Sequence, residues 1–178
     1  MTIISMARPE EFLMQDDVVT LFAYDRWANT KVLDACRKLT ADQYVAEPVP
    51  GWSAVRSTVY HIAIATEWNL RKVAGDSDES ILTEADVATV DDAARLLERS
   101  YRRIEELRAT LPERLNTVLT LRWPGGSATV PTWALLRHIV NHSTYHRGQV
   151  ASKLKRFGIE QPITDFFWWM IEQVPQVT

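Results

Sequence analysis

Residues 131–158 read PTWALLRHIVNHSTYHRGQVASKLKRFG, and the fold turns on how this stretch is taken. Leu135, Ile139, His142, His146, Val150, Leu154 and Phe157 step by three or four residues. That spacing keeps side chains on one face of an α-helix. Pro131 suits a first helical turn, where its missing N–H has no intrahelical partner to lose. Gly158 suits the left-handed position just past a helix end. The stretch therefore predicts one long helix from Pro131 to Phe157, with an apolar stripe turned to a core and two imidazoles in the middle of that stripe.

Three more helical patterns precede it. The first is expected from about Asp16 to Leu39, with Leu21, Ala28, Val32, Ala35 and Leu39 at helical spacing. Thr40 and Gln43 then form a capping box for a short turn, and Pro48-Val-Pro-Gly51 breaks the chain. A second long helix is expected from Ser53, as its N-cap, to Gly75; His61, Ile64, Ala65 and Trp68 share one face. An acidic loop, 76–89, leads to a third helix that opens near Asp91 and stops before Pro112. Val90, Ala94, Leu97, Tyr101, Ile104 and Leu111 form its stripe, and Glu98, Arg102, Glu105 and Glu106 its solvated face. Two β-branched runs between Thr117 and Val130, split by Pro124-Gly-Gly126, read as a small hairpin. The aromatic tail QPITDFFWWMIEQ reads as a short final helix. Four long helices with short connections predict an all-α fold, an antiparallel four-helix bundle in a single domain spanning 1–178, with a small β-hairpin before the last long helix.

Composition narrows the function classes. The chain has 178 residues, 46% hydrophobic and 24% charged, and a formal charge of −3. These values are ordinary for a globular chain long enough to fold without staples. Acidic and basic residues are interleaved, with no Lys/Arg cluster to serve as a nucleic-acid footprint. Cys36 is the single cysteine, so no intrachain disulfide forms; at a helical core position it reads as a small buried hydrophobe. MTIISMARPEEF is too acidic and too poor in apolar residues for a signal peptide. No run of about 18 apolar residues spans a bilayer. The expectation is a soluble cytoplasmic protein with no nucleic-acid or membrane partner.

The candidate chemistry lies in the four histidines, at 61, 138, 142 and 146. A buried imidazole needs a hydrogen-bond partner or a metal, because an unpaired polar group in a core costs free energy. Histidines at i and i+4 present two nitrogens to one point, a spacing common in zinc sites. By itself such a pair is a weak signal, since core histidines bonded to carbonyls or histidines on a solvated face explain most such pairs. The apolar phase of His142 and His146, with His61 alone on another apolar face, brings the metal reading level with these alternatives. His138 and His142 share the same spacing and form the rival pair. His138 and His146 lie about 12 Å apart along the axis at ~1.5 Å per residue, too far to serve one ion together. The HSTYH sequence has Ser143 where a zincin needs its Glu, so the metalloprotease mechanism lacks its base. The chain also contains no Gly-rich phosphate loop and no GxSxG.

At this point the residues resemble a known family. HIVNHSTYHRGQV (138–150), His61 within YHIAIATEW, YDRWANTKVL (24–33) and PITDFFWW (162–169) are similar to the DinB family of YfiT-like metalloenzymes. The resemblance implies an up-down-down-up four-helix bundle, a connectivity that periodicity does not supply. It implies metal ligands from the second helix and from the HxxxH of the last long one, here His61, His142 and His146. The ion would be one divalent transition metal, Ni, Zn or Fe; imidazoles suit all three. Relatives include S-transferases and a maleylpyruvate isomerase that use low-molecular-weight thiols such as bacillithiol or mycothiol.

The expected function is thus a metal-dependent enzyme, most concretely a thiol S-transferase acting on a small electrophile. The alternatives are a stress-associated metal-binding protein without turnover, a metal-dependent hydrolase, and a structural dimer whose histidines are core. No catalytic residue beyond the metal ligands is assigned. Arg147 either steers an anionic substrate or sits at a surface or interface; Gln149, Asn141, Tyr145, Asp25 and Glu67 are candidates to support the site. Seven Trp, with Trp168 and Trp169 adjacent, are hard to bury on one side of a terminal helix, and together with the resemblance predict a homodimer.

Overall fold

The computed structural model describes residues 9–77, 80–123 and 125–173. Most of the stretch read against a signal peptide, two residues of the acidic loop, and Pro124 of the hairpin turn lie outside the described residues.

The chain is mostly helical with one small antiparallel sheet. Helix α1 runs Pro9–Cys36, two turns longer at its start than expected and shorter at its end. There Lys38 and Leu39 donate to Ala35 and Cys36, three residues back, so the last turn tightens and the α-helix stops before Leu39. Helix α2, Ala41–Val45, carries the expected capping box: Gln43 N–H donates to Thr40 Oγ1 at 3.2 Å, and Thr40 N–H to Gln43 Oε1 at 3.0 Å. Helix α3 is Val55–Ala74. Ser53 is not its N-cap; Ala54 holds that place without a side-chain bond, because the Ser53 hydroxyl is occupied by Lys153. Gly75 closes α3 at φ +80°, a conformation costly for any residue with a Cβ.

Helix α4, Val90–Leu107, opens with an unforeseen capping box between Thr89 and Asp92. It ends at Leu107, before Pro112 as expected but short of Leu111: a single 3-10 turn, Arg108–Thr110, leads into a short helix α5, Leu111–Leu115. Pro112 has no N–H and its ring would strike the carbonyl four residues back, so the α4 path cannot continue through it. Strands β1, Val118–Trp123, and β2, Gly126–Pro131, form the expected hairpin, with Trp123 opposite Gly126. Helix α6 is Thr132–Arg156. Beyond it, Gly158 N–H bonds Lys155 O and Ile159 N–H bonds Leu154 O, a glycine-terminated end that satisfies otherwise orphaned carbonyls. Helix α7, Phe166–Gln173, is the predicted terminal helix.

Helix α1 packs against α4 and α6, and α3 packs against the same two. Val32, Val59, Ile62, Leu70, Ile104, Leu136, Ile139 and Leu154 lie between them, all buried. Each such side chain contributes about 1.5–3 kcal/mol on leaving water. Cys36 is buried among them, and burial pushes its thiol up to about 12, so it behaves as the expected hydrophobe. No described helix is long and apolar enough to cross a membrane.

The phase of two faces differs from the expectation. On α6 the buried positions are 132, 135, 136, 139, 140, 143, 147, 150, 153 and 154; His142 and His146 are only partly covered. On α3 the buried face runs through Val55, Val59, Ile62, Thr66 and Leu70, and His61 is exposed. The imidazoles therefore stand at the rim of the core and not in its middle. A stripe drawn through apolar residues alone skipped Ser143 and Arg147, which fill the core positions, and was pulled sideways onto the histidines.

Candidate metal centre

Two helices supply the site. His61 projects from α3, and His142 and His146 from successive turns of α6. The Nε2 atoms of His61 and His142 are 3.0 Å apart, those of His142 and His146 3.1 Å. One ligand nitrogen from each ring lies within 4.8 Å of the others, and this is the group of potential ligands found among the described residues. His138 stays outside it: its ring stands 5.4 Å from that of His142, on the exposed side of α6. The structure thus brings together the three histidines named from the sequence and leaves the rival 138/142 pair without a third donor.

The chemistry of this donor set fits a divalent transition ion. His146 Nδ1–H donates to Gln149 Oε1 at 2.7 Å, one turn along α6, which leaves the His146 Nε2 lone pair bare. His142 Nε2 faces both other nitrogens but can hold only one proton. At most one of its two contacts can therefore be a well-directed N–H···N hydrogen bond. An ion at the point of convergence relieves this, and three nitrogens around zinc at ~2.0–2.1 Å would stand about 3.3 Å apart in tetrahedral geometry, close to the spacings here. Burial, then the neighbouring imidazoles His146, His61 and His138, push His142 down to about 4. Burial and His146 likewise lower His61. Both rings are therefore neutral at pH 7, the form that binds metal. The exposed edge at His61 leaves one side of the site open.

Arg147 is neither a surface nor an interface residue. It follows His146 but points about 100° around the helix, into the core, where it is 2% exposed. Its guanidinium pairs with Asp25, itself 0% exposed, and donates to Ser143 Oγ at 2.9 Å, Thr144 Oγ1 at 2.6 Å and Tyr24 OH at 3.2 Å. Tyr101 OH donates to the far oxygen of Asp25 at 2.9 Å, and Asn29 amide hydrogens reach Tyr101, Ser143 and Asp25. Burial pushes the Asp25 carboxyl above its ordinary value, while the Arg147 charge and these hydrogen bonds pull it down. The network ties α6 to α1 and α4 beneath the histidines and sets the rotation that presents 142 and 146 toward α3. Arg147 and Asp25 therefore support the site through the helix, not by touching it.

The other candidates sort by distance. Tyr145 is exposed, its ring edge-on to His146 at 5.0 Å, and Asn141 is exposed on α6. Glu67 belongs to a separate buried cluster, accepting from Ser100 at 2.7 Å and pairing with Arg99 and Arg103. Lys153 and Ser143 were missed. Their signal was present as polar residues in step with Val150, Leu154 and Ile139, positions that a helix of this phase must bury.

The sequence profile of the DinB family matches residues 14–176. The chain is similar to Protein DinB of Bacillus subtilis (strain 168), 25% identical over 160 residues, 86% of this chain and 93% of that protein. In three dimensions it is similar to a DinB-like protein from Bacillus cereus ATCC 10987, with TM-score 0.63 and 19% identity over 83% of this chain and 95% of that one. A DinB-like protein from Bacillus subtilis aligns with TM-score 0.64 and 20% identity, over 84% and 97% respectively. These two likenesses concern the fold. With its profile matched over nearly its whole length, this chain belongs to the DinB family.

Proposed function

We propose that this protein is a metal-dependent enzyme of the thiol S-transferase type, working on a small electrophile with a low-molecular-weight thiol. The observation that carries the reading is the convergence of three Nε2 atoms, each on a separate imidazole, at a rim open to solvent on one side. His61, His142 and His146 would hold one divalent ion, Ni, Zn or Fe. Once bound, such an ion lowers the pKa of a thiol at its open position and so raises the thiolate fraction at neutral pH. The protein's own part is to fix the rings. Gln149 sets the His146 tautomer, the Arg147–Asp25 network sets the rotation of α6, and α3 delivers His61 from across the groove. With Ser143 buried and no carboxylate in the His cluster, the described residues offer no internal base of the zincin kind, which favours a thiol that loses its proton to solvent.

The fold that accompanies this reading is one domain with up-down-down-up connectivity. Arg137 with Asp17, and Arg147 with Asp25, pair α6 and α1 in the same direction. Lys153 with Ser53, and His142 with His61, pair α6 and α3 in opposite directions. Arg37 with Asp91, and Arg26 with Glu98, do the same for α1 and α4. A homodimer through the terminal helix is proposed with it, since Phe167 and Trp168 are 57% and 50% exposed on α7.

The test is the metal content of untagged protein, followed by turnover. Bacillithiol, mycothiol and simpler thiols would be offered with a chloronitrobenzene, whose carbon gains the sulfur as chloride leaves. Metal-dependent turnover that the triple His→Ala variant lacks supports the proposal. A stoichiometric metal with no thiol turnover above that variant replaces it with the binding-protein reading, and absence of metal removes both.

A further inference from the structure

Lys153 is 5% exposed and has no carboxylate partner among the described residues. Its ammonium donates to Ser53 Oγ at 2.8 Å, to Ala54 O at 3.3 Å and to Thr58 Oγ1, three neutral oxygens. A buried cation is ordinarily paired with an anion, because neutral acceptors satisfy its hydrogens but leave its charge uncompensated. Burial accordingly lowers its pKa. The ammonium lies under a cleft of about 430 Å³ whose walls include Trp52, Ser53, Tyr145, Gln149 and Lys153. A second cleft of about 520 Å³ adjoins it at Trp52 and Ser152, and is lined also by Lys155 and Arg156. Neither lining contains an Asp or a Glu, in a chain whose formal charge is −3. Lys155 and Arg156 alone would be the usual basic complement to a helix C-terminus. Lys153 stands in the same last turn of α6, two turns from the histidines, but is buried where Lys155 and Arg156 are exposed, and a charge that only complements a helix end has no need of burial.

We propose that this cleft is an anion-recognition subsite, taking the carboxylate of a small organic molecule whose other end reaches the histidine cluster. The register supports the geometry. His146, Gln149 and Lys153 lie at i, i+3 and i+7 on one face of α6, so the cleft runs about 10 Å along the helix at ~1.5 Å per residue. Gln149 joins its two ends, bonding His146 and lining the cleft. Ser53 Oγ accepts from Lys153, so its own O–H is free to donate outward to a carboxylate and pass on the attraction of the ammonium. Trp52, with the Arg156 guanidinium 6.0 Å from its ring centroid, and Tyr145 supply flat walls for an apolar body. The subsite deepens the proposed function by naming a substrate class, a carboxylate-bearing molecule, and rests on that reading only for what happens at the histidine end.

The experiment is calorimetric binding of benzoate to the full chain as purified, with benzamide and benzylamine as neutral and cationic controls, repeated on Lys153→Met, Ser53→Ala and His142→Ala. Benzoate should bind and the controls should not; Lys153→Met should lose at least ten-fold in affinity and Ser53→Ala several-fold. The His142→Ala protein should retain benzoate binding while losing metal, which separates this subsite from the metal reading. Benzamide binding as well as benzoate, or Ser53→Ala and a folded Lys153→Met both binding like the parent, overturns the proposal. If Lys153→Met does not fold, Ser53→Ala decides alone, since Ser53 is exposed and outside the helix.

Discussion

Removing the Asp25 carboxylate should cost more than any other single polar change in this protein. In Asp25→Ala the Arg147 guanidinium stays 2% exposed and charged, with Ser143, Thr144 and Tyr24 as its only acceptors of note. Breaking one side of a buried pair costs about 3–5 kcal/mol. The hydroxyl of Tyr101 also loses an acceptor, at about 1 kcal/mol. Against a total stability on the order of 5–15 kcal/mol this is a large share. At roughly 2–4 °C per kcal/mol for a chain of this size, the thermal midpoint should fall by about 8–24 °C. Thermal unfolding of metal-free protein at pH 7.5, followed by far-ultraviolet circular dichroism, measures the midpoint, and urea unfolding the free-energy loss. The double change Asp25→Leu with Arg147→Met removes both charges and should recover most of the loss, giving a coupling of at least about 2 kcal/mol. Because Arg147 adjoins His146 on α6, Asp25→Ala should also weaken metal binding without touching a ligand. A cost below about 1 kcal/mol, or additivity of the two single changes, would refute the view that this pair anchors α6.

Three further outcomes are expected. His61→Ala, His142→Ala and His146→Ala should each lower metal occupancy sharply, while His138→Ala leaves it largely intact and Gln149→Ala weakens affinity by ~10–100-fold; metal analysis of the five variants decides, and full occupancy in His146→Ala would sink the ligand assignment. The metal-free protein should lose stability on acidification: His61 and His142 titrate below their ordinary value when folded, so their contribution is complete above about pH 6.5 and is lost below it, for His142 as pH falls to about 4. Both rings are partly open to solvent, so the loss is about 1–2 kcal/mol, and urea midpoints at pH 7.5 and 4.5 that shift equally in a His61→Gln, His142→Gln variant would contradict it. Sedimentation equilibrium at micromolar concentration should show a dimer, and a sole species of 20.4 kDa would remove that proposal.

Periodicity and terminator residues determined the elements of this protein by themselves. A Pro131-to-Gly158 frame, the Thr40/Gln43 box, Gly75 after a basic last turn and the Pro-Gly-Gly turn each act within a few residues of backbone, so local physics sufficed to place α6, α2, the end of α3 and the hairpin. The same locality gave the i, i+4 histidines. Where it failed, the deciding interaction came from a distant part of the chain. Ser53 looked like an N-cap because its competitor for that hydroxyl, Lys153, lies a hundred residues away. Arg147 looked like surface because its compensation is split among Asp25, Tyr24 and Ser143, and a charge is buried only when such partners are assembled around it. That network takes the centre of the α6 stripe and rotates His142 and His146 to the rim, where they meet His61. The sequence determined which helices form and which residues can ligate; the packing of α6 against α1 and α3 decided which face is inside. That decision is tertiary because the cost of burying a polar side chain depends on partners that only the folded chain brings within reach.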